Sequence, residues 1–231
     1  MNPRIEEKQS GIAIYWGTFD PVTIAHFEII KSVLQSNFKK VIVAINDNPS
    51  TEKIYKSPGE SRSDMLKIMA LSLPRKDHER LEIAIQKNKE MEYTNIKKAY
   101  PDEKVTAIVG QDSFEKFGAH CKWCDAVQVV PRGEKYDALE QQIAHFGLKN
   151  TFILPMDKRF LTTSSTAVRT AVNTNNISVL SSSLHPKVVS YINKQGFFRG
   201  DFTSTDHQKL RVFKNWLQKR KWQKAHVSPK P

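Results

Sequence analysis

The sequence predicts an α/β fold in which a parallel β-sheet carries helices on both faces and a basic helical tail follows it. Short apolar runs alternate along the chain with longer segments whose apolar residues recur at helical spacing. Strands that are separated by helices pair in parallel, and the helices then cover both faces of the sheet. With 231 residues, 39% of them hydrophobic, the chain can form one substantial core.

The predicted strands are short segments rich in Val, Ile, Leu and Ala. An unbroken apolar run such as residues 41–45 is typical of a strand that is buried on both faces. In chain order, the predicted strands cover residues 12–15, 41–45, 81–85, 105–109, 126–130 and 151–154.

The predicted helices lie between and after these strands. We expect the first helix to begin at Pro21, because proline is tolerated in a first helical turn, where its missing N–H has no partner in any case. The second has Met65, Leu66 and Met69 on one face. In chain order, the predicted helices cover residues 21–34, 60–73, 93–100, 113–117, 137–146, 165–172 and 186–195.

Two segments leave strands at the edge of the sheet where ligands bind. In doubly wound, Rossmann-like folds, ligands lie beyond the carboxyl ends of the strands. Residues 17–26, GTFDPVTIAH, follow the first strand there, and residues 110–113 follow the strand at 105–109. A glycine turn that opens a helix offers free N–H groups and a positive dipole end. The first segment therefore predicts a phosphate site, to which His26 could also donate.

Basic residues are concentrated at the end of the chain. The net charge is +12, and residues 201–231 hold eight Lys/Arg and two Asp, a net +6. We divide the chain into a polar extension at 1–10, a globular domain at 11–200 and a basic helical tail at 201–231. The tail could bind nucleic acid or an anionic membrane surface. A solvated helix, or one docked on the domain, explains the same pattern, so nucleic acid is the less favoured interpretation.

Several features indicate a cytoplasmic protein without a membrane segment. No apolar run approaches the roughly 18 residues of a membrane helix, and the first ten residues are too polar for a signal peptide. Two cysteines do not make a disulfide framework. His120, Cys121 and Cys124 form an H-C-x-x-C motif that could begin a zinc or redox site, but without a second Cys pair we predict neither.

Residues 17–26 resemble the signature of the nucleotidyltransferase superfamily, a Gly-x-Phe-Asp/Asn-Pro turn followed by His/Thr-x-Gly-His. Residues 163–169, TSSTAVR, resemble the second signature of that superfamily, Ser-Ser-Thr/Ser-x-x-Arg. Further similarity is to the nicotinate-nucleotide and nicotinamide-nucleotide adenylyltransferases. It is carried by IVGQDSF with the later Trp123, by VVPRG at 129–133 and by LHPKVVSYINKQGF at 184–197. The motifs occur in the family's order over residues 11–198.

Phosphopantetheine adenylyltransferase is the competing relative. Thr23 is its usual residue at that position, and residues 48–50, Glu60 and Arg62 resemble the loop after its second strand. That family is shorter and lacks the Gly-x-Asp…Trp segment, so we favour the pyridine-nucleotide enzymes. A cytidylyltransferase is disfavoured further, because the Arg-Thr-x-Gly-Ile-Ser motif is absent. A non-catalytic nucleotide-binding regulator with a nucleic-acid-binding tail is the third alternative.

The resemblance implies transfer of AMP from ATP to nicotinate or nicotinamide mononucleotide, with release of pyrophosphate. His26, Thr23 and Arg169 are the implied catalytic residues. His26 would bring a donor and positive charge to the phosphates, Thr23 a hydroxyl, and Arg169 a fork-shaped cation. Phe19 is expected mainly to shape the turn, together with Asp20. The complete set of implied ATP-binding residues is Gly17, Thr18, Phe19, Thr23, His26, Gly110, Asp112, Ser164, Ser165, Thr166 and Arg169.

The acceptor nucleotide is assigned to a second set. Trp123 would stack on the pyridine ring, and the implied set is Lys53, Tyr93, Thr94, Trp123 and Arg132. Mg²⁺ is expected with ATP, without a dedicated protein metal site, and Asp112 would orient a ribose or a metal-bound water. A homo-oligomer, with the tail as a subunit contact, is an alternative that the sequence leaves open. The chain departs from the signature at Trp16 and Ala25, where a small residue or Pro and a Gly are usual.

Overall fold

The computed structural model describes residues 11–47, 55–86, 89–132, 137–148 and 150–199. Within them, six parallel strands form one sheet in the order β3-β2-β1-β4-β5-β6. The strand order reverses beside β1, which is the arrangement of a doubly wound, Rossmann-like α/β fold. The predicted fold class is therefore confirmed.

All six predicted strands are present, and most are longer than predicted by one or two residues. They are β1 (Ile12–Gly17), β2 (Lys40–Asn46), β3 (Leu81–Gln86), β4 (Val105–Gly110), β5 (Ala126–Val130) and β6 (Thr151–Ile153). Tyr15 of β1 is in register with Ile108 of β4. Both strands end two residues later, at Gly17 and Gly110, so β1 and β4 end near each other at the carboxyl edge of the sheet.

The helices match the prediction in position, with one informative difference. The first helix begins at Ile24, three residues after Pro21, because Thr23 caps it with its side chain. The sequence pattern did not predict two short helices, α3 and α8. The helices are α1 (Ile24–Gln35), α2 (Gly59–Ala70), α3 (Arg75–His78), α4 (Lys89–Ala99), α5 (Gln111–Phe117), α6 (Asp137–Phe146), α7 (Ser165–Asn173), α8 (Ile177–Ser183) and α9 (Pro186–Gln195).

The sheet is buried on both faces. Ala13 and Tyr15 of β1 point to one face, where buried residues of α1, α2 and α7 to α9 form the main core. Ile12 and Ile14 point to the other face, which is covered at Ile96 of α4 and, beyond β4, by α5 and α6. This two-sided burial explains the continuous apolar runs of the central strands.

The extension at 1–10 and the tail at 201–231 lie outside the described residues, so the predicted domain boundaries stay predictions. None of the described helices combines the length and apolarity that crossing a bilayer requires.

Candidate active site at the switch point of the sheet

A cleft of about 270 Å³ opens at the carboxyl ends of β1 and β4. α1 follows β1 on one face of the sheet and α5 follows β4 on the other, so the loops diverge and leave a crevice. Ten of the eleven predicted nucleotide-binding residues line it: Gly17, Thr18, Phe19, His26, Gly110, Asp112, Ser164, Ser165, Thr166 and Arg169.

Residues 17–20, which we call the nucleotide turn, are shaped by the ring of Phe19. A Cβ atom on Gly17 would lie 2.5 Å from Cζ of that ring, so only glycine fits. Phe19 has a left-handed φ of 54° and is 1% exposed. Its ring packs edge-on against Tyr15 and His26, with centroids 5.3 and 5.1 Å apart. The expectation that Phe19 shapes the turn thus has a structural basis, and the same ring supports the imidazole of His26.

His26 is held by a reciprocal cap at the start of α1. Thr23 N–H donates to Nδ1 of His26 at 3.0 Å, and Thr23 Oγ1 lies 2.9 Å from the same nitrogen. His26 N–H in turn donates to Thr23 Oγ1 at 3.4 Å. Because a backbone N–H can only donate, Nδ1 is the acceptor and the ring proton lies on Nε2. In this arrangement the donor that His26 could present to a ligand is Nε2–H, and the predicted supply of positive charge by His26 stays a prediction.

Thr23 differs from the prediction. It is fully buried and does not line the cleft, because its hydroxyl is used in capping α1. Its position assigns it to holding His26, and the predicted contact with phosphate would require it to leave the cap.

The second signature is bonded directly to the nucleotide turn. Ser165 Oγ donates to the carbonyl oxygen of Pro21 at 2.8 Å, and Arg169 donates to the carbonyl oxygen of Asp20 at 2.6 Å. Ser164 caps α7 by accepting from Ala167 N–H at 3.1 Å. Two segments more than 140 residues apart in the chain therefore meet at one cleft, with the N-terminus of α7 directed at it.

Arg132 links the two sides of the cleft. Its guanidinium donates to Asp112 at 3.2 Å and to the carbonyl oxygen of Thr163 at 3.0 Å. Tyr15 is buried and also lines this cleft. Burial raises the pKa of its hydroxyl, and the positive charge of Arg132 opposes this shift only in part. Arg132 was predicted to bind the acceptor, and it lies in the same cleft as the predicted ATP residues.

The other predicted acceptor residues that the structure describes do not line the cleft. Thr94 is exposed on α4, and half-buried Trp123 ends the short 3₁₀ helix Gly118–Trp123, so neither lines the cleft. Lys53 and the side chain of Tyr93 lie outside the described residues. Their acceptor roles stay predictions.

Three residues in or beside the nucleotide turn were not among the predicted site residues, although Asp20 was expected to shape the turn and Arg62 was noted in the resemblance to phosphopantetheine adenylyltransferase. Asp20 is 3% exposed, and its carboxylate accepts from Lys56 N–H at 2.7 Å and from Ser57 Oγ at 2.6 Å. Arg62 is fully buried next to them, and Tyr55 lines the cleft. A signal for Arg62 was available, because it lies three residues before Met65, on the buried face of α2.

The cysteines of the H-C-x-x-C motif pack against the buried residues on the face of the sheet that α4, α5 and α6 cover. Burial raises the pKa of Cys124 to about 12, and nearby Cys121 and Asp125 add to the shift. The thiol of Cys124 is therefore protonated at neutral pH and a poor nucleophile. Among the residues whose side chains are described, no group of three His, Cys, Asp or Glu could hold a metal ion, and the side chain of His120 is not among them.

A family model described as cytidylyltransferase-like matches residues 14–171. Two curated relatives differ in the share of the chain that they match. A probable nicotinate-nucleotide adenylyltransferase from Caldicellulosiruptor saccharolyticus is 28% identical over 201 residues, which is 81% of this chain and 98% of that protein. A phosphopantetheine adenylyltransferase from Zymomonas mobilis is 33% identical over 81 residues, 35% of this chain and 44% of that protein.

The fold also matches a solved structure. The Plasmodium falciparum nicotinic acid mononucleotide adenylyltransferase complexed with NaAD superimposes with a TM-score of 0.67 and 17% identity, covering 82% of this chain and 98% of that chain. At this identity the match establishes the fold alone.

Proposed function

This chain belongs to the cytidylyltransferase-like family, and we propose that it is an adenylyltransferase that moves AMP from ATP to nicotinate or nicotinamide mononucleotide. Similarity to a probable nicotinate-nucleotide adenylyltransferase over nearly the whole length of that relative supports this acceptor class. The observation that carries the proposal is the direct bonding of both signatures at one cleft, through Arg169 to Asp20 and through Ser165 to Pro21.

The reaction needs alignment and charge neutralisation more than acid–base chemistry. An oxygen of the acceptor phosphate attacks the α-phosphorus of ATP, the bond from that phosphorus to the bridging oxygen breaks, and pyrophosphate leaves. The attacking phosphate is already ionised at neutral pH, so no strong base is required. Catalysis then depends on holding two anions in line and neutralising the charge between them.

In this scheme His26 is a preorganised donor. Its Nδ1 accepts from Thr23 N–H, so the ring donor is Nε2–H, and His26 lines the cleft where this donor would meet a phosphate oxygen. The Phe19 ring packed against the imidazole restricts its rotation. A donor that is fixed before the substrate binds needs no reorganisation during the reaction, which is the basis of its proposed catalytic effect.

Positive charge would come from the other side of the cleft. Arg169 presents a guanidinium one turn into α7, and the cap at Ser164 leaves N–H groups at the helix start for an anion. Arg132 adds a second guanidinium beside them. We propose that this side holds the β- and γ-phosphates and neutralises the pyrophosphate as it leaves.

A divalent metal ion accompanies ATP in this proposal, and the cleft suits the ordinary mode of Mg²⁺ binding. Mg²⁺ uses one or two carboxylates together with phosphates and retains several waters, so it needs no protein cage. Asp112 lines the cleft with a side chain that is 67% exposed, and it would hold the ion or one of its waters. The ion would supply further neutralisation of the phosphate charge.

Phosphopantetheine is the second candidate acceptor. The higher identity of the Zymomonas mobilis relative over its shorter matched segment favours it, as do residues 48–50. Both candidates share the ATP side of the cleft and differ only in the acceptor.

One assay decides between them. The full chain is incubated with Mg-ATP and, separately, with nicotinate mononucleotide, nicotinamide mononucleotide or phosphopantetheine, and pyrophosphate is followed. We expect release with a pyridine mononucleotide. Release with phosphopantetheine alone would overturn that choice, and release with none of the three would reject both enzyme proposals and favour a non-catalytic nucleotide-binding protein.

A further inference from the structure

Arg62 is the largest of the fully buried side chains in the described part of the protein, and the proposed chemistry does not use it. It extends from the first turns of α2 toward the carboxyl edge of the sheet. Burying a guanidinium is costly unless its donors are paired. The hydrogen-bond partners of Arg62 therefore show which parts of the structure the buried guanidinium holds in place.

The guanidinium connects three separate chain segments. It donates to the carbonyl oxygen of Thr18 at 2.9 Å, to that of Asn46 at 2.8 Å and to that of Ser57 at 3.2 Å. It is also paired with the carboxylate of Asp47. The nucleotide turn, the end of β2 and the segment before α2 are thus bonded to one rigid planar group.

The bond to the carbonyl of Thr18 lies next to a residue with an unfavourable backbone conformation, Phe19. A peptide unit is planar, so fixing the carbonyl of Thr18 also fixes the direction of the N–H of Phe19. Phe19 has a left-handed φ of 54°, which is unfavourable for a residue of this type and persists only when neighbouring contacts hold it. Both Thr18 and Phe19 line the cleft.

The same guanidinium supports a wall of the cleft. The ring of Tyr55 lies over Arg62, with 4.4 Å between its centroid and Cζ, and Tyr55 also lines the cleft. Gly59 leaves room for this arrangement, because a Cβ atom there would lie 2.8 Å from the carboxyl carbon of Asp47. The ion pair between Arg62 and Asp47 therefore depends on glycine at position 59.

We propose that Arg62 is a positioning residue for ATP binding: it holds the Thr18–Phe19 peptide and the Tyr55 ring in the geometry that receives the nucleotide. This rests on the proposed function only in taking ATP as the ligand of the cleft. Arg62 itself is fully buried and does not line the cleft, so the proposed role is indirect.

Arg80 provides a matched control. It donates to the carbonyl oxygen of Phe38 at 2.8 Å and to Asp77 at 2.7 Å, and it also bonds the carbonyl of Leu34. Like Arg62, it ties carbonyls and one carboxylate together. It precedes β3, at the amino edge of the sheet, opposite the cleft. A purely structural effect of losing the guanidinium fork would appear in both variants.

The test measures binding of α,β-methylene-ATP with Mg²⁺ to the full chain by calorimetry, for wild type, Arg62→Lys and Arg80→Lys. We expect the affinity to fall at least tenfold in Arg62→Lys and less than twofold in Arg80→Lys, while thermal unfolding shows both to be folded. Equal affinity loss in the two variants, or none in Arg62→Lys, would overturn the proposal.

If Arg62→Lys does not fold, Asp47→Asn and Asp77→Asn form a second matched pair. We again expect the affinity to fall at least tenfold in the first and less than twofold in the second, and equal losses, or no loss in Asp47→Asn, would overturn the proposal. Binding of the analogue requires no acceptor and no turnover. Failure of the proposed acceptor would therefore appear as absent pyrophosphate release beside an intact difference between the two binding variants. A wild-type chain that does not bind the analogue would reject the ATP site itself, and with it the role of Arg62.

Discussion

The backbone N–H of Thr23 donates to Nδ1 of His26 at 3.0 Å, which joins the helix cap of α1 to the proposed catalytic donor. In the usual capping box a Glu or Gln at the third helical position accepts this bond. Here a histidine does so with its Nδ1, while its ring also lines the cleft. The same side chain therefore contributes both to the stability of α1 and to the cleft.

Replacing His26 with Gln separates these two contributions. The glutamine amide oxygen can accept from Thr23 N–H and preserve the cap, but its remaining amide N–H group lacks the ring packing on Phe19 that fixes the imidazole donor. We expect unfolding free energy within about 0.5 kcal/mol of wild type and a fall in kcat of about 10²- to 10³-fold, typical of losing one preorganised donor. His26→Ala should lose comparable activity and about 1 kcal/mol of stability as well. Urea unfolding and pyrophosphate release measure the two effects, and near wild-type turnover in the Gln variant would remove His26 from the mechanism.

Thr23 should affect activity through His26, not through contact with substrate. Thr23→Val keeps the shape of the buried side chain but removes the hydroxyl beside Nδ1 and the acceptor for His26 N–H. We expect it to cost about 1 kcal/mol of stability and to lower kcat with little change in KM for ATP. Thr23→Ser retains the hydroxyl and serves as the control. A large rise in KM for ATP with unchanged kcat would point instead to the direct phosphate contact that the sequence suggested.

Gly17 and Gly110 end adjacent strands at the cleft, and they should respond differently to alanine. A Cβ on Gly17 would meet the buried ring of Phe19 at 2.5 to 2.9 Å, whereas a Cβ on Gly110 would meet nothing within 4 Å. We expect Gly17→Ala to cost about 1–3 kcal/mol, as overpacking does, and to weaken ATP binding by moving the nucleotide turn. Gly110→Ala, at the start of α5, should cost less than about 1 kcal/mol. Equal stability of the two variants in thermal unfolding would contradict this account.

Most of the sheet and one side of the site followed from local sequence pattern. Strands such as 41–45 are unbroken apolar runs, and the two signatures are contiguous, so His26 and Arg169 could be found without knowing the fold. The buried capping position of Thr23 was not predicted, because a Thr-x-x-His cap differs from the common Thr-x-x-Glu pattern. Helical spacing in α2 could indicate that Arg62 is buried, but its carbonyl partners lie up to 44 residues away in the chain, and periodicity does not identify them.

The short helix α8 was missed for a related reason. Its sequence ISVLSSS has weak helix formers and no clear apolar stripe, and packing of Leu180 into the main core stabilises it. The predicted acceptor role of Trp123 depends in the same way on geometry that residue spacing does not give.

Asp125 should make stability depend on pH in the acid range. Burial raises the pKa of its carboxyl, but the bonds from Val105 N–H and Lys97 outweigh it, so the net pKa lies below its usual value. A lowered pKa in the folded state means that the contribution is present above the unfolded value of about 3.9 and is lost as pH falls through the folded value.

Asp125→Asn tests this sign. The amide oxygen can still accept from Val105 N–H, so only the charge is removed. Because the side chain is 39% exposed, we expect a loss of no more than about 1 kcal/mol at pH 7, shrinking as pH falls below about 4 and also at high salt. Chemical unfolding at several pH values gives the comparison. A gap between variant and wild type that widens toward acid pH would mean that the carboxyl is disfavoured, not favoured, in its ionised form.

Arg169 should matter for its shape as well as its charge. One branch of its guanidinium donates to the carbonyl oxygen of Asp20 at 2.6 Å and the other to Thr166 Oγ1 at 2.9 Å, so the fork is held against both signatures. Lysine keeps the charge but cannot reproduce the two directed bonds. We expect Arg169→Lys to raise the KM for ATP about tenfold, equivalent to about 1.4 kcal/mol. The KM for the acceptor nucleotide should rise less. Arg159→Lys, which alters an exposed arginine outside the cleft that pairs with Asp157, should leave both constants unchanged. If the two lysine variants behaved alike in steady-state kinetics, the charge of residue 169 would suffice and its bonds to the nucleotide turn would have no part in holding ATP.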